Sequence, residues 1–243
     1  MDPLTIPFIT TQQMIEVDRL MVEEYGIKLI QMMENAGRQL ARLSKERFLD
    51  GDPISKRIII LAGSGGNGGG ALACARNLSN WGAEVVVVLS KSAESYSGVI
   101  KQQIETLQSM GVSFRKTDNL DQIKAPDLVI DGIIGYSLRG APAGSAAEMI
   151  HWANRQGCSI LALDVPSGVD SSTGEVYHPA IQATATMTLA LPKSGLKIAG
   201  TEYVGELFLA DIGVPPDLFA RPSLNIRVGH IFRQEAILHL TDR

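Results

Sequence analysis

From residue 57 onward the chain alternates short, unbroken apolar runs, rich in β-branched residues, with amphipathic segments. The runs are Ile58–Ala62, Val85–Leu89, Leu128–Asp131, Ser159–Leu163 and Ala185–Leu191, with a further one at Leu207–Ala210. Helical stretches lie between the early ones, at Leu72–Trp81, Val99–Met110 and Ala143–Gln156. A strand with one face in water shows polar residues at every second position, and these runs do not. They therefore predict a mostly parallel sheet covered by helices on both faces, an α/β fold.

Residues 10 to 49 read as helix. Thr10 with Gln13 forms a capping-box pattern, and Met14, Val17, Met21 and Val22 follow at helical spacing. Gly26 interrupts the pattern, and "IKLIQMMENAGRQLARLSKERFL" restarts it. The tail from Arg221 offers a last strand in "LNIRVG" and a short helix. No internal repeat or low-complexity linker divides the chain, so a single domain over 1–243 is expected.

The composition, 45% hydrophobic and 20% charged over 243 residues, is that of a soluble globular protein. A net charge of −4 argues against nucleic-acid binding, which usually leaves a basic surface. No apolar run approaches the roughly 18 residues of a membrane span. The start, "MDPLTIPFITTQQ", lacks the charged and apolar regions of a signal peptide. Cys74 and Cys158 read as buried free thiols, in keeping with a cytoplasmic location, and no Cys or His pair stands at zinc-ligand spacing. The four histidines are scattered along the chain.

In parallel α/β sheets ligands bind beyond the carboxyl ends of the strands. Three Gly-rich or polar loops follow the first, third and fourth runs: "GSGGNGGGA", "DGIIGYSLRGAPAG" and "DVPSGVDSSTGE". Gly63, Gly65 and Gly68 satisfy the G-x-G-x-x-G dinucleotide spacing. The ribose-binding acid of that fingerprint is missing, because Ser90-Lys91 stands at the end of the second strand. No Lys-Ser/Thr follows the loop, which excludes a Walker A reading. What remains is a set of backbone N–H groups and a helix dipole directed at an anion. The alternative is a turn that needs glycine for packing alone.

Asp131 and Asp164 open the two later loops. A strand-end aspartate can simply cap the next turn. Two close carboxylates instead require a cation between them or one raised pKa. Asn67 beside Asp131 supplies a hard neutral oxygen, and Ser167 a hydroxyl or carbonyl oxygen. All-oxygen ligation favours an alkali or alkaline-earth ion, which leaves the other aspartate for proton transfer.

Seven motifs in order, "QMIEVDRLMVEEYGI", "MMENAG", "GSGGNGGGALACARNL", "DLVIDGIIGYSLRG", "ALDVPSGVDSSTGE", "LPKSGL" and "ADIGVPP", resemble the YjeF N-terminal domain family of NAD(P)H-hydrate (NAD(P)HX) epimerases. The resemblance covers roughly residues 10–216 and leaves 217–243 as a C-terminal extension. It implies a Rossmann-like three-layer α/β/α sandwich with N-terminal helices. The implied activity is an isomerase's: interconversion of the two epimers of hydrated NADH or NADPH at ring carbon 6, for repair of the cofactor. A bound K+ is implied, with Asn67, Asp131 and Ser167 as ligands. The implied substrate contacts are Gly66, Asn67, Gly68, Gly69 and Gly70 in the first loop, and Gly135, Tyr136, Ser137, Leu138, Arg139, Gly140 and Ala141 in the second, with Asp164. The resemblance also implies a homodimer working with a separate NAD(P)H-hydrate dehydratase. The chain ends at "HLTDR" without a dehydratase motif, so only the epimerase function is expected of it.

The family loop commonly reads G-N-N-G-G-D-G, whereas this chain has glycine at 66 and 70 in place of the first asparagine and the aspartate. The acid–base work then falls to Asp164 and Asp131. Substitution at Gly70 also favours a rival reading, a nucleotide-binding or scaffold module of the same fold; some relatives of this fold serve in protein or RNA-decapping assemblies. A dehydrogenase reading rests on the glycine spacing alone. Lys193 reads as a solvated strand-end lysine or one reaching a phosphate. Tyr136 offers a ring to stack on nicotinamide or adenine. Glu34 and Asn35 fasten a helix to the sheet or touch ligand, and Met14, Met21, Met32 and Met33 fill core or an oligomer interface.

Overall fold

The β-branched runs become the inner strands of one twisted sheet. The computed structural model describes residues 6–240, so the outermost residues of the expected domain, 1–5 and 241–243, lie outside the described residues. Helices α1 (Thr11–Glu23) and α2 (Leu29–Phe48) precede β1 (Arg57–Ala62), α3 (Gly66–Asn80), β2 (Glu84–Leu89), α4 (Gly98–Ser109) and β3 (Ser113–Arg115). Then follow β4 (Leu128–Gly132), α5 (Ser145–Asn154), β5 (Ser159–Leu163), β6 (Ala185–Leu189), β7 (Glu206–Ala210) and β8 (Ile237–His239). Among the described residues the sheet has eight strands in the order β3-β2-β1-β4-β5-β6-β7-β8. Every pairing is parallel except β7 with β8.

Adjacent residues of one strand serve opposite faces. Ile58 and Ile60 pack with Leu40 of α2, Leu72 and Leu78 of α3 and Ile104 of α4, while Ile59 and Leu61 pack with Met149, Ile150 and Trp152 of α5. This two-sided burial is why the runs carry no polar alternation. The order reverses at β1, which is flanked by β2 and β4, with Leu61 opposite both Val88 and Asp131. That switch point opens a crevice at the carboxyl edge of the sheet.

The N-terminal helices close one side of the crevice. α1 starts from the expected Thr10–Gln13 capping box. It is pinned by Ile9, whose N–H donates to the Pro192 carbonyl and whose carbonyl accepts from Ser194 N–H, each at 2.8 Å. The Thr11 N–H donates to Ser172 Oγ at 2.8 Å. Met14 and Met21 of α1 and Met32 of α2 sit in a cluster with Leu191, Ile212, Leu218 and Phe219.

Three expectations change. α3 begins at Gly66 rather than Leu72, because the later glycines form its first turn. "LNIRVG" is not a strand: Leu224 is buried, and Ile226 and Val228 pack against the α1 cluster as a strap, while Ile237–His239 takes the free edge of β7. β6 stops at Leu189, since Ala190 turns the chain with φ 62°. A three-residue edge strand, β3, falls where no apolar run announced one.

Candidate active site

The Gly63 N–H donates to the Gly132 carbonyl at 3.0 Å, which ties the end of β1 to the end of β4. From there the chain turns into α3, whose N-cap is Gly65 and whose first turn has no side-chain cap. The N–H groups of that turn stand without intrahelical acceptors. The glycines divide by task. A Cβ at position 68 would lie 1.9 Å from the Gly63 carbonyl oxygen, so Gly68 permits the close turn. A Cβ at 66 would meet nothing within 4 Å, and Gly66 lines the crevice.

Asn67 Nδ2 donates to the Leu163 carbonyl at 2.6 Å, and Asn67 Oδ1 faces Gly135, where an added Cβ would come within 2.5 Å of it. Asp131, 1% exposed, accepts from Ser167 Oγ at 2.6 Å, Ser167 N–H at 2.8 Å and Ile133 N–H at 3.2 Å. Ser167 Oγ in turn accepts from Ile134 N–H at 2.9 Å. Asn67, Asp131 and Ser167 thus gather around the 131–135 turn. Burial pushes the Asp131 carboxyl up to about 6, against the pull of its hydrogen bonds from Ser167 and Ile133. No ion pair reaches Asp131 among the described residues. Asp131, Asn67 and Ser167 offer only oxygen atoms as possible ligands, a donor set that suits a hard alkali or alkaline-earth cation.

Asp164 follows β5 with φ 68°, a left-handed conformation that costs a non-glycine residue on the order of 1–3 kcal/mol. Its N–H donates to the Met187 carbonyl at 2.7 Å. Its carboxylate is 3% exposed and pairs with the Lys193 ammonium, which is 0% exposed. Asp164 Oδ1 also accepts from Leu189 N–H at 3.2 Å and Thr188 Oγ1 at 3.3 Å. Lys193 donates a second hydrogen bond to the Leu189 carbonyl at 2.8 Å. The expected solvated lysine is corrected: the chain around Lys193 is bracketed by Ile9 and roofed by α1, so its ammonium points inward to Asp164.

A cleft of about 80 Å³, open to solvent on one side, lies between these groups. Gly66, Asn67 and Gly70 line it from the glycine turn, Asp164 and Leu163 from β5, Lys193 from the loop after β6, and Tyr136 from the loop after β4. Met14, Met32, Met33 and Ile212 give it apolar walls. Asp131 and Ser167 lie behind that lining, while Gly68 and Gly69 are buried in the helix turn. Of the loop from Gly135 to Ala141, Tyr136 reaches the cleft; Gly135 backs Asn67, Ser137, Arg139 and Ala141 are exposed, and Leu138 and Gly140 are half-buried. Tyr136 is engaged by its hydroxyl, which donates to Asp18.

Asp18 carries no role in the motif reading. The sequence held a signal for it: 14, 17, 18 and 21 form one helical stripe, and Asp18 is the charged member of that otherwise apolar face. Burial raises its pKa, opposed by the Tyr136 hydroxyl and the Lys193 charge and assisted by the Asp164 charge. Glu34 and Asn35 fasten elements. Glu34 accepts from Arg76 and from Gln103 Nε2, the latter at 2.7 Å, and Asn35 Nδ2 donates to the Ile212 carbonyl at 3.0 Å. Cys74 is buried and Cys158 half-buried, both free.

A Rossmann-type sheet whose switch point opens on an uncapped helix start and a buried acid–lysine pair places the chain among nucleotide-handling α/β proteins. More narrowly, it belongs to the family described as YjeF-related protein N-terminus, whose model matches residues 29–195. It is 42% identical over 223 residues to the NAD(P)H-hydrate epimerase of Dehalogenimonas lykanthroporepellens, covering 91% of this chain and 86% of that one. It is 39% identical over 229 residues to the bifunctional NAD(P)H-hydrate repair enzyme Nnr of Moorella thermoacetica, where 90% of this chain matches 43% of the relative. The crystal structure of yeast ynu0 superposes with a TM-score of 0.82 at 24% identity, over 97% of this chain and 100% of that one, and shares the fold.

Proposed function

We propose that the chain is an NAD(P)H-hydrate epimerase, an isomerase that interconverts the R and S forms of hydrated NADH and NADPH at ring carbon 6 and so returns both to the repair of the cofactor. The observation that carries this reading is the cleft, in which the glycine-built helix start and the Asp164–Lys193 pair face one apolar-walled space. The methionine walls offer an apolar surface for a flat dihydropyridine to lie against, and the open first turn of α3 is suited to phosphate. The relatives named as epimerases support the substrate.

Carbon 6 of the hydrate bears a hydroxyl and the ring nitrogen, so epimerisation requires neither hydride nor a redox partner. Protonation of the departing hydroxyl leaves a planar iminium-type carbon, and water returns to its other face. Asp164 lies at the floor of the cleft with its charge compensated by Lys193, and it serves as an acid–base group there. Such a group is worth about 10²–10⁴ in rate. Asn67, Asp131 and Ser167 would hold the potassium ion, which when bound supplies positive charge beside the phosphate-binding turn and neutralises Asp131. The same reading includes a homodimer in the cytoplasm and hand-over of the product epimer to a dehydratase.

Chromatographic separation of the R and S hydrates tests the activity, with potassium and without it. Equilibration by the wild-type chain, slowed at least 100-fold in Asp164→Ala, is expected. Wild-type rates in Asp164→Ala would remove Asp164 from the chemistry, and failure of the wild type to equilibrate the hydrates would remove the activity.

A further inference from the structure

We propose that Asp18 of α1 is a second catalytic carboxyl group of this cleft, exchanging a proton with the carbon 6 oxygen from the α1 wall while Asp164 works from the β5 wall. The inference rests on the epimerase reading. Three placements support it. Asp18 lines the same cleft as Asp164, yet it comes from a different element and shares no hydrogen bond with it. Its side chain is half-buried on the same face of α1 as the buried Met14, Val17 and Met21, where a carboxyl group is costly. Its only hydrogen-bond partner among the described residues is the Tyr136 hydroxyl, and no described ion pair holds it.

The two walls suit a reaction that must address both faces of one carbon. The Asp18 carboxyl gives its proton to the carbon 6 hydroxyl. The C–O bond breaks with its electron pair leaving on oxygen as water, and the ring nitrogen lone pair forms the C=N bond. A water on the Asp164 side donates an oxygen lone pair to carbon 6, the C=N pair returns to nitrogen, and the water's proton passes to the Asp164 carboxylate. The opposite epimer runs the same steps backward. The proton returns from Asp164 to Asp18 through water in the open cleft, so nothing is oxidised or reduced. The groups facing Asp18 are Tyr136, from the loop after β4, and the Lys193 and Asp164 charges. Burial favours its protonated form, which is the form the departing hydroxyl needs.

Both directions of epimerisation are measured against pH for wild type, Asp18→Asn, Asp18→Glu and Tyr136→Phe, with thermal melting alongside. Asp18→Asn is expected to lower kcat about 10²–10⁴-fold in both directions while KM stays within threefold, with partial recovery in Asp18→Glu. Tyr136→Phe removes a hydrogen bond that favours ionised Asp18, so the alkaline fall of kcat/KM moves to higher pH. A kcat near wild type in Asp18→Asn overturns the proposal, as does a raised KM with an unchanged kcat, the mark of a positioning role. Should Asp18→Asn fail to fold, an alkaline limb that does not move in Tyr136→Phe overturns it instead. A wild-type chain that leaves both epimers unchanged overturns the epimerase reading, whereas activity that survives in the variants overturns only the role of Asp18.

Discussion

Lys193 and Asp164 form an almost fully buried ion pair at the cleft, with the ammonium 0% and the carboxylate 3% exposed. Removing two charges from water costs several kcal/mol per ion, which their attraction offsets only when the remaining polar atoms are satisfied. Each charge keeps a further partner: Lys193 also donates to the Leu189 carbonyl, and Asp164 Oδ1 also accepts from the Leu189 N–H. Replacing a buried ion pair by well-packed hydrophobic residues of similar volume is often neutral or stabilising. The proposed function gives the pair a role in the cleft, and its two halves are unequal in what their loss exposes.

Lys193→Met leaves the Asp164 carboxylate buried and uncompensated. Urea unfolding should show a loss of about 3–5 kcal/mol for the single variant. In Lys193→Met/Asp164→Asn, with no charge left to bury, most of that loss should be recovered while epimerisation stays abolished. A double variant as unstable as the single one would mean that packing, not charge, holds Lys193 in place.

The stability of the chain should also record Asp18. Its folded pKa is raised above the ordinary value of 3.8, so its contribution is fully present below that value and is lost as pH rises through the folded pKa. Asp18→Asn does not titrate. Its stability relative to wild type should therefore increase as pH rises from 4 to 8, measured by denaturant midpoints at each pH. A difference that does not change with pH would place Asp18 in a solvated environment.

These two groups also mark the limit of what could be read from the sequence. The inner strands were legible because both of their faces are buried, so each appears as a continuous β-branched run. The glycine turn was legible as the passage from β1 into a helix, but not as the first turn of α3, since glycine lowers helix propensity. Lys193 reads as solvated because its burial depends on Ile9 and α1, more than 170 residues earlier in the chain. "LNIRVG" has strand composition, yet the edge of β7 accepts Ile237–His239 and the apolar side chains of the segment cover α1 instead. Asp18 was visible as a charge on an apolar stripe, although nothing local says what it faces.

The glycines of the turn should separate under alanine substitution. Gly68→Ala drives a methyl to 1.9 Å from the Gly63 carbonyl oxygen, a backbone contact that cannot yield cheaply. A loss of more than about 3 kcal/mol, or no soluble protein, is expected, in the range of severe overpacking. Gly66→Ala meets nothing within 4 Å and should stay within about 1 kcal/mol of wild type. Gly66 lines the cleft, so the expected change is weaker NADP binding, read by titration calorimetry. Equal effects at the two positions would contradict the division of tasks.

Potassium should act through Asp131. The carboxylate is buried without a cationic side chain, and Asn67 and Ser167 bring further oxygens to the same turn. A cation that binds only the folded chain stabilises it by RT ln(1 + [L]/Kd), about 2.7 kcal/mol at 100 times Kd. For a chain of this length that corresponds to a rise in Tm of about 5–10 °C. Melting in potassium chloride against tetramethylammonium chloride at equal ionic strength isolates the specific effect from screening. Asp131→Asn should abolish the rise, and Asn67→Ala should reduce it. Identical melting of the wild-type chain in both salts would remove the cation from this turn and leave Asp131 as a carboxyl group held only by Ser167 and Ile133.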